Sequence, residues 1–261
     1  MTAMAVEDSA QTERQSELTR ALAAVRSRLA RAAEAAGRNV AEIELLPITK
    51  FFPATDVAIL SRLGCRAVGE SREQEAAAKV TELTRLLAGS QHSDSREMQW
   101  HMVGQIQRKK ARALARWAHT AHSVDSPQLV TALDRAVAGA LAEHRRSKPL
   151  RIYVQVSLDG DVSRGGVDNA APGAVDEICA QVDRAESLEL IGLMGIPPLD
   201  WEPERAFDQL QSEHSRVCEH FPHAVGLSAG MSNDLEIAVK HGSTCVRVGT
   251  ALLGQRRLPS P

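Results

Sequence analysis

Apolar and polar positions recur in two patterns along the chain. From Leu18 to Ala36 apolar residues return every three or four positions, with arginines between them, and Gly37 follows. This spacing gives a helix one apolar face, so it predicts a long opening helix that stops near Gly37. Residues 1–14 are polar and acidic and predict a disordered tail. We expect residues 15–261 to form a single domain.

Eight short apolar or β-branched segments follow, and longer segments of helical periodicity separate them. The predicted strands are 43–49, 66–70, 98–104, 120–125, 150–158, 188–196, 224–230 and 244–250. Eight strands alternating with helices in 261 residues favour an α/β fold of the TIM (β/α)8 barrel type, with an extra N-terminal helix. An open doubly wound sheet is the alternative, because periodicity does not show closure. The chain has neither a GxGxxG after a strand nor a GxxxxGK[ST], which open sheets often use for nucleotides.

Composition limits the kinds of molecule that the chain is expected to bind. The chain has 31 basic and 33 acidic side chains and a net charge of -2, so it carries no electrostatic footprint for nucleic acid. No apolar run approaches the ~20 residues that span a bilayer, and the four cysteines form no CxxC pair. The pairs His119 with His122 and His220 with His223 have no further ligand nearby, so no metal site is predicted. We expect a cytoplasmic monomer that binds a small molecule, without nucleic acid or membrane partners.

One lysine stands out in the stretch ELLPITKFFPATD, residues 44–56. Lys50 directly follows the first predicted strand, and TIM barrels carry their chemistry at the carboxyl ends of strands. An apolar pocket there would disfavour the ammonium form and expose an amine that forms Schiff bases with carbonyls. A snorkelling or salt-bridged lysine is the alternative that the position alone allows.

Two turns near the end of the chain have the composition of phosphate sites. LSAGMSND (227–234) and RVGTALLG (247–254) each run from a strand through small residues into a helix, with Ser232 or Asn233 as a natural N-cap of the first helix. Backbone N–H groups at helix starts, with hydroxyls beside them, hold phosphate dianions. In a closed barrel these turns flank Lys50, and a ligand with a phosphate and a carbonyl would engage all three.

Arg247 lies in the last predicted strand. Because strand residues alternate in direction, Arg247 should face the barrel interior, whereas Val246 and Val248 should pack on helices. An inward guanidinium needs a partner. A buried carboxylate such as Glu70 or Asp234 would serve, and so would an atom of a ligand.

The order of motifs resembles that of one protein family. TK after strand one, GESREQEA after strand two, WHMVGQIQRKK at strand three, GLMGIPP at strand six, LSAGMSNDLEIAVKHGST at strand seven and RVGT at strand eight are similar to motifs of the pyridoxal 5′-phosphate (PLP) homeostasis proteins. These are single-domain barrels that resemble the N-terminal domain of alanine racemase. The resemblance covers about residues 18–254 and implies PLP as the cofactor.

The resemblance also implies the residues of the cofactor site. Lys50 would hold PLP as a Schiff base, and Arg247 would face the pyridine nitrogen. The other implied contacts are Ser71, His101, Met194, Ser228, Ser232, Gly249 and Thr250. Ser71 stands where the family usually has Asn, and Arg164 stands where many relatives carry Lys.

The family has a cofactor but no established turnover, so the resemblance implies no catalytic residue. Arg247 opposite the pyridine nitrogen would also make the ring a poor electron sink. Beyond the last strand the chain reads LLGQRRLPSP, and we expect no second domain of the racemase kind. The leading hypothesis is a carrier that limits free PLP and hands it to apo-enzymes. The alternatives are a Schiff-base lyase or aldolase acting on a sugar phosphate, and a PLP-dependent racemase with His101 as the base opposite Lys50.

Overall fold

The long opening helix is the first element of the structure. The structure, a computed structural model, describes residues 3–88 and 98–255. Helix α1 spans Ala3–Ala35, and its buried face includes Leu18, Leu22 and Leu29. The predicted apolar face and the stop before Gly37, which has a φ of 65°, are both present.

The strands form one parallel sheet, and most of them lie within the predicted segments. The strands of the described residues are β1 Glu44–Pro47, β2 Ala67–Glu70, β3 Gln99–Met102, β4 Thr120–Val124, β5 Leu150–Ser157, β6 Val167–Asp168, β7 Leu188–Gly195, β8 Gly226–Ser228 and β9 Cys245–Val248. Their order is β1-β9-β8-β7-β5-β4-β3-β2. A parallel bridge between Ile48 and Gly69 joins β1 to β2, and Thr49 N donates to Gly69 O at 3.0 Å. These contacts close the barrel, so the open sheet is excluded.

Helices cover the outside of the barrel. After α1 the described residues contain α2 Ala54–Arg62, α3 Glu73–Leu87, α4 Ala111–Leu114, α5 Pro127–Ala142, α6 Ala174–Asp183, α7 Pro203–His220, α8 Leu235–Lys240 and α9 Thr250–Leu253. Val246 and Val248 of β9 pack with α1, α8 and α9, as strand alternation predicted. No helix among the described residues is long and apolar enough to cross a bilayer.

The structure differs from the sequence predictions in two places. Part of the expected tail 1–14 is helical, because α1 begins at Ala3 and Arg14 Nη2 binds Asp56 of α2 at 2.6 Å, while residues 1 and 2 lie outside the described residues. Strand β6 was missed because its two residues are too few to show a period, and it pairs only with β5. The polar loop predicted at 89–97 lies outside the described residues.

Candidate cofactor site

Lys50 and Thr250 follow neighbouring strands. Pro47 of β1 pairs with Val248 of β9, and Ile48 N donates to Val248 O at 2.9 Å. Barrel closure therefore places the turn after β1 beside the turn after β9. Lys50 is exposed, so its protein neighbours do not form the apolar pocket that its position suggested. Its amine is open to a ligand from solvent.

The turns after β8 and β9 lie against each other. Ser232 Oγ accepts a hydrogen bond from Ala251 N at 3.3 Å, and a Cβ built on Gly249 would lie 3.7 Å from Ile48 Cβ. Neither Ser232 nor Asn233 caps α8, because residues 232–234 form a turn and Asp234 is the N-cap. The predicted phosphate residues Ser232, Gly249 and Thr250 nevertheless come together at this corner of the barrel, where the first N–H groups of α9 lack partners within their helix.

Arg247 lies inside the barrel, as predicted, and only 5% of it is exposed. Its Nη1 donates to Ser228 Oγ at 2.7 Å, and its Nη2 donates to Gly195 O at 3.0 Å. Both acceptors are neutral, and no described carboxylate lies within ion-pair distance of the guanidinium. The two carboxylates expected as partners are engaged elsewhere, since Glu70 binds Lys79 and Asp234 Oδ1 accepts from Met231 N.

The chemistry of Arg247 follows from these surroundings. Burial lowers the pKa of its guanidinium from the usual value, although the group stays cationic at neutral pH. A guanidinium has five N–H donors, and these hydrogen bonds use two of them. Donors therefore remain for a ligand atom, which is the second partner considered for this residue.

Met194 and Ser228 lie beside Arg247. They are partners in the pairing of β7 with β8, and they are 1% and 0% exposed. The structure thus brings together three of the residues implied by the family resemblance, Met194, Ser228 and Arg247.

A chain of buried polar groups continues inward from Ser228. Ser228 Oγ lies 2.9 Å from His122 Nδ1, and His122 Nε2 lies 3.0 Å from His101 Nδ1. Because Arg247 only donates, Ser228 accepts from it and has its own proton available for His122. The His122 ring also packs on Tyr153, with centroids 4.5 Å apart.

Both histidines are held neutral by burial. Desolvation, followed by the charge of His119, lowers the pKa of His101 to about 3. Desolvation is also the largest cause of the lowered pKa of His122, followed by the neighbouring His101. A protonated histidine among these buried polar groups would lie near the Arg247 cation without a full countercharge. The neutral form of both histidines is therefore the stable one.

His101 does not lie where a base opposite Lys50 would lie. The carboxylate nearest to its Nε2 is that of Glu44, at 4.0 Å, and Glu44 begins β1 whereas Lys50 follows the end of that strand. The side chain reaches the Arg247 region only through His122 and Ser228. A cofactor contact by His101 stays a prediction.

Ser71 and Arg164 lie on other loops of the same barrel end. Ser71 follows β2, and a Cβ on Gly104 would meet Ser71 O at 2.2 Å, so these two turns are in close contact. Arg164 Nη2 donates to Pro197 O at 3.0 Å, and Nη1 lies 3.5 Å from Asp159 Oδ2. A cofactor contact by Ser71 stays a prediction.

Two residues near the site were missed from the sequence. His122 lies next to Ala121, which packs in the main apolar cluster with the helices, so strand alternation was a signal that could have placed His122 in the barrel interior. Lys79 is 5% exposed and binds both Glu70 and the carbonyl of Thr49. Its helical position carried no such signal, because a lysine on α3 is ordinarily solvated.

Comparison with known proteins identifies the same family that the sequence motifs resemble. The model of the alanine racemase N-terminal domain matches residues 21–257. The pyridoxal phosphate homeostasis protein of Mycobacterium tuberculosis is 76% identical over 258 residues, which cover 99% of this chain and 100% of the relative. The chain belongs to the pyridoxal phosphate homeostasis protein family. The protein of that name from Corynebacterium glutamicum is 47% identical and is matched over 94% of its length.

Solved structures show the same architecture. PipY of Synechococcus elongatus, solved with PLP bound, superposes with a TM-score of 0.73 at 30% identity, and the match covers 91% of this chain and 100% of PipY. An alanine racemase of Clostridium difficile superposes with a TM-score of 0.60 at 17% identity, covering 84% of this chain and 56% of the racemase. At that identity the likeness shows the barrel fold alone.

Proposed function

We propose that this member of the pyridoxal phosphate homeostasis family holds PLP reversibly on Lys50, limits free PLP and passes it to apo-enzymes that need it. PLP combines an aldehyde, a phosphate and a pyridine nitrogen. The described residues fit that set, since they offer an exposed amine at Lys50, hydroxyl and backbone donors at Ser232 and Gly249, and remaining guanidinium donors at Arg247.

One observation carries the proposal, namely the pairing of β1 with β9. It places the exposed Lys50 beside the turn that begins with Gly249. The Lys50 amine would add to the aldehyde carbon and lose one water as the carbon–nitrogen double bond forms. Exposure of the amine favours release by hydrolysis, which a carrier requires. PLP bound to PipY and the names of the relatives support the choice of ligand.

We further propose that the chain does not turn over amino acids. When bound, PLP supplies an electron sink, and its strength depends on protonation of the ring nitrogen. The Arg247 cation, whose hydrogen-bond partners among the described residues are neutral, would disfavour that protonation. His101 is kept neutral in the interior and lies away from the Lys50 turn, so it does not act as a second base.

The test is a visible absorption spectrum with and without PLP, followed by borohydride reduction and peptide mass mapping. We expect a yellow protein in which the reduced phosphopyridoxyl group maps to Lys50. Lys50→Arg should abolish this label, and Lys109→Arg, which removes another exposed lysine, should keep it. A protein that stays colourless with PLP but is trapped with a sugar phosphate would replace the proposal by the lyase.

A second measurement separates a carrier from an enzyme. The PLP-loaded protein would be incubated with L-alanine, and the appearance of D-alanine would be followed by chiral chromatography. We expect no turnover above that of free PLP. Racemisation that disappears in Lys50→Arg would contradict the carrier proposal. Transfer is tested by adding an apo-enzyme and measuring recovery of its activity. The monomeric state and the cytoplasmic location stay predictions.

A further inference from the structure

The Lys50 side chain is exposed, but the backbone on both sides of it is fixed. Thr49 is fully buried, and Phe51 has a φ of 70°, in the left-handed region that residues other than glycine seldom adopt. Such a conformation persists only where surrounding groups enforce it. The contacts that enforce it come from the end of β2 and from α3.

Lys79 holds the residue before Lys50. Its Nζ donates to Thr49 O at 2.9 Å and to Glu70 Oε1 at 2.6 Å, in a position where the lysine is 5% exposed. Glu70 Oε1 also accepts from Thr49 Oγ1 at 2.6 Å. The carbonyl and the hydroxyl of Thr49 are therefore both bound by one buried ion pair.

Glu75 holds the residue after Lys50. Its Oε1 accepts from Phe51 N at 2.7 Å and lies 3.4 Å from Lys79 Nζ. Glu75 and Lys79 are four residues apart on α3, so they share a helix face. One closed network thus connects Thr49, Glu70, Lys79, Glu75 and Phe51, with Lys50 between its two ends.

The backbone groups that this network binds suggest a role beyond stabilising the fold. An ion pair that only stabilises a core needs no contact with the main chain. Here, however, Lys79 donates a hydrogen bond to the carbonyl of the residue before Lys50, and Glu75 accepts one from the backbone N–H of the residue after it. Both contacts flank the single residue proposed to bond covalently to PLP. A small error in the direction of a reacting group slows a reaction strongly.

We propose that Lys79, together with Glu70 and Glu75, is a positioning group that directs the Lys50 amine toward the turns after β8 and β9. The inference rests on the proposed function, because the direction matters only for a ligand held at those turns. Lys79 itself does not touch the ligand in this arrangement. It fixes the two peptide units from which the Lys50 side chain extends.

Glu75 provides the cleanest test, since its side chain is 27% exposed and its removal leaves no buried charge uncompensated. Glu75→Ala removes the acceptor of Phe51 N, and Glu75→Gln keeps an oxygen in its place. Glu73→Ala is the matched control, because it removes another carboxylate from the same helix turn, where it pairs with Lys110. Amide hydrogen exchange of residues 50–53 would show whether the turn has loosened.

The reactivity of Lys50 would be measured with two probes by mass mapping. In Glu75→Ala we expect attachment of PLP to slow about tenfold or more. Methylation of Lys50 by formaldehyde and cyanoborohydride, relative to Lys109, should stay unchanged, because formaldehyde needs no particular direction. Glu75→Gln should restore most of the attachment rate, and amide exchange near Phe51 should be faster in the alanine variant only.

The possible failures are distinguishable. Attachment of PLP at the wild-type rate in Glu75→Ala, or equal slowing in the alanine and glutamine variants, would overturn the positioning role and leave the proposed function intact. A wild-type protein that takes up no PLP at Lys50 would overturn the proposed function and this inference with it.

Discussion

Lys79 and Arg247 are two buried cations at the same end of the barrel, each 5% exposed, yet their surroundings differ. Lys79 contacts the fully buried carboxylate of Glu70 and the partly buried Glu75. Arg247 contacts a serine hydroxyl and a backbone carbonyl. The charge of Lys79 is therefore neutralised inside the protein, whereas that of Arg247 remains available to a ligand. Equal burial thus goes with a cation paired inside the protein in one region and with a guanidinium that we propose to face a ligand in the other.

The largest loss of stability is expected when Lys79 is replaced. Lys79→Met leaves Glu70 buried without its cation, and breaking one partner from a buried pair lowers the free energy of unfolding by about 3–5 kcal/mol. Burial already raises the pKa of Glu70 against the opposing effect of Lys79. Without Lys79 that pKa should rise further.

The pH dependence of Lys79→Met tests this explanation. A carboxyl whose pKa is higher in the folded than in the unfolded state destabilises the fold increasingly as pH rises. The stability deficit should therefore be smaller at pH 5 than at pH 7 in urea unfolding. The double variant Lys79→Met, Glu70→Gln is the control and should recover part of the loss at pH 7. A deficit that is the same at both pH values would contradict a stranded carboxylate.

Arg247→Met should have a smaller effect on stability. It removes two hydrogen bonds but strands no carboxylate, so we expect a loss of about 1–2 kcal/mol in the free energy of unfolding. Urea unfolding of the two single variants under one set of conditions makes the comparison. If Arg247→Met were as unstable as Lys79→Met, a hidden countercharge would be present and the contrast between the two regions would be wrong.

The neutral histidines beside Arg247 predict a loss of stability in acid. The pKa of His101 is about 3 in the fold and ~6.5 in an unfolded chain, so below pH 6.5 the unfolded state binds the extra proton. The contribution of His101 to the free energy of unfolding is thus fully present above pH 6.5 and is lost as pH decreases. Once the unfolded form is protonated, the loss for one histidine is about 1.4 kcal/mol per pH unit.

His101→Asn should reduce this slope, measured by urea unfolding between pH 6.5 and 4.5. His220→Gln is the matched control, because His220 lies exposed at the end of α7, and it should leave the slope unchanged. An unchanged slope in His101→Asn would show that other groups govern the acid transition. His122 should behave as His101 does, since burial lowers its pKa as well.

The barrel and the inward direction of Arg247 could be predicted from the sequence, because buried parallel strands appear as short apolar runs and strand residues alternate. The link between Lys79 and Glu70 could not be predicted, since it depends on how α3 lies on β2 rather than on a local pattern. Ser228 and His122 are 106 positions apart and meet only through barrel closure. The exposure of Lys50 was also missed, because the apolar neighbours in sequence face away from it or follow it in the turn.

The smallest change in stability is expected at Ser232, on the Arg247 side. Its hydroxyl accepts from Ala251 N at 3.3 Å and is partly exposed, so Ser232→Ala should alter the free energy of unfolding by no more than about 0.5 kcal/mol. Its effect on the ligand should be larger, because a hydrogen bond to a charged group contributes about 1.5–3 kcal/mol, or roughly tenfold or more in Kd.

Pyridoxal, which lacks the phosphate, separates the two possible causes. Spectroscopic titration of Ser232→Ala should show weaker binding of PLP and unchanged binding of pyridoxal. Equal weakening for both ligands would contradict a phosphate contact at Ser232 and would mean that the substitution perturbs the turn after β9 instead. Because the hydrogen bond between Ser232 and Ala251 links the turns after β8 and β9, that outcome would place the phosphate contact away from this corner of the barrel.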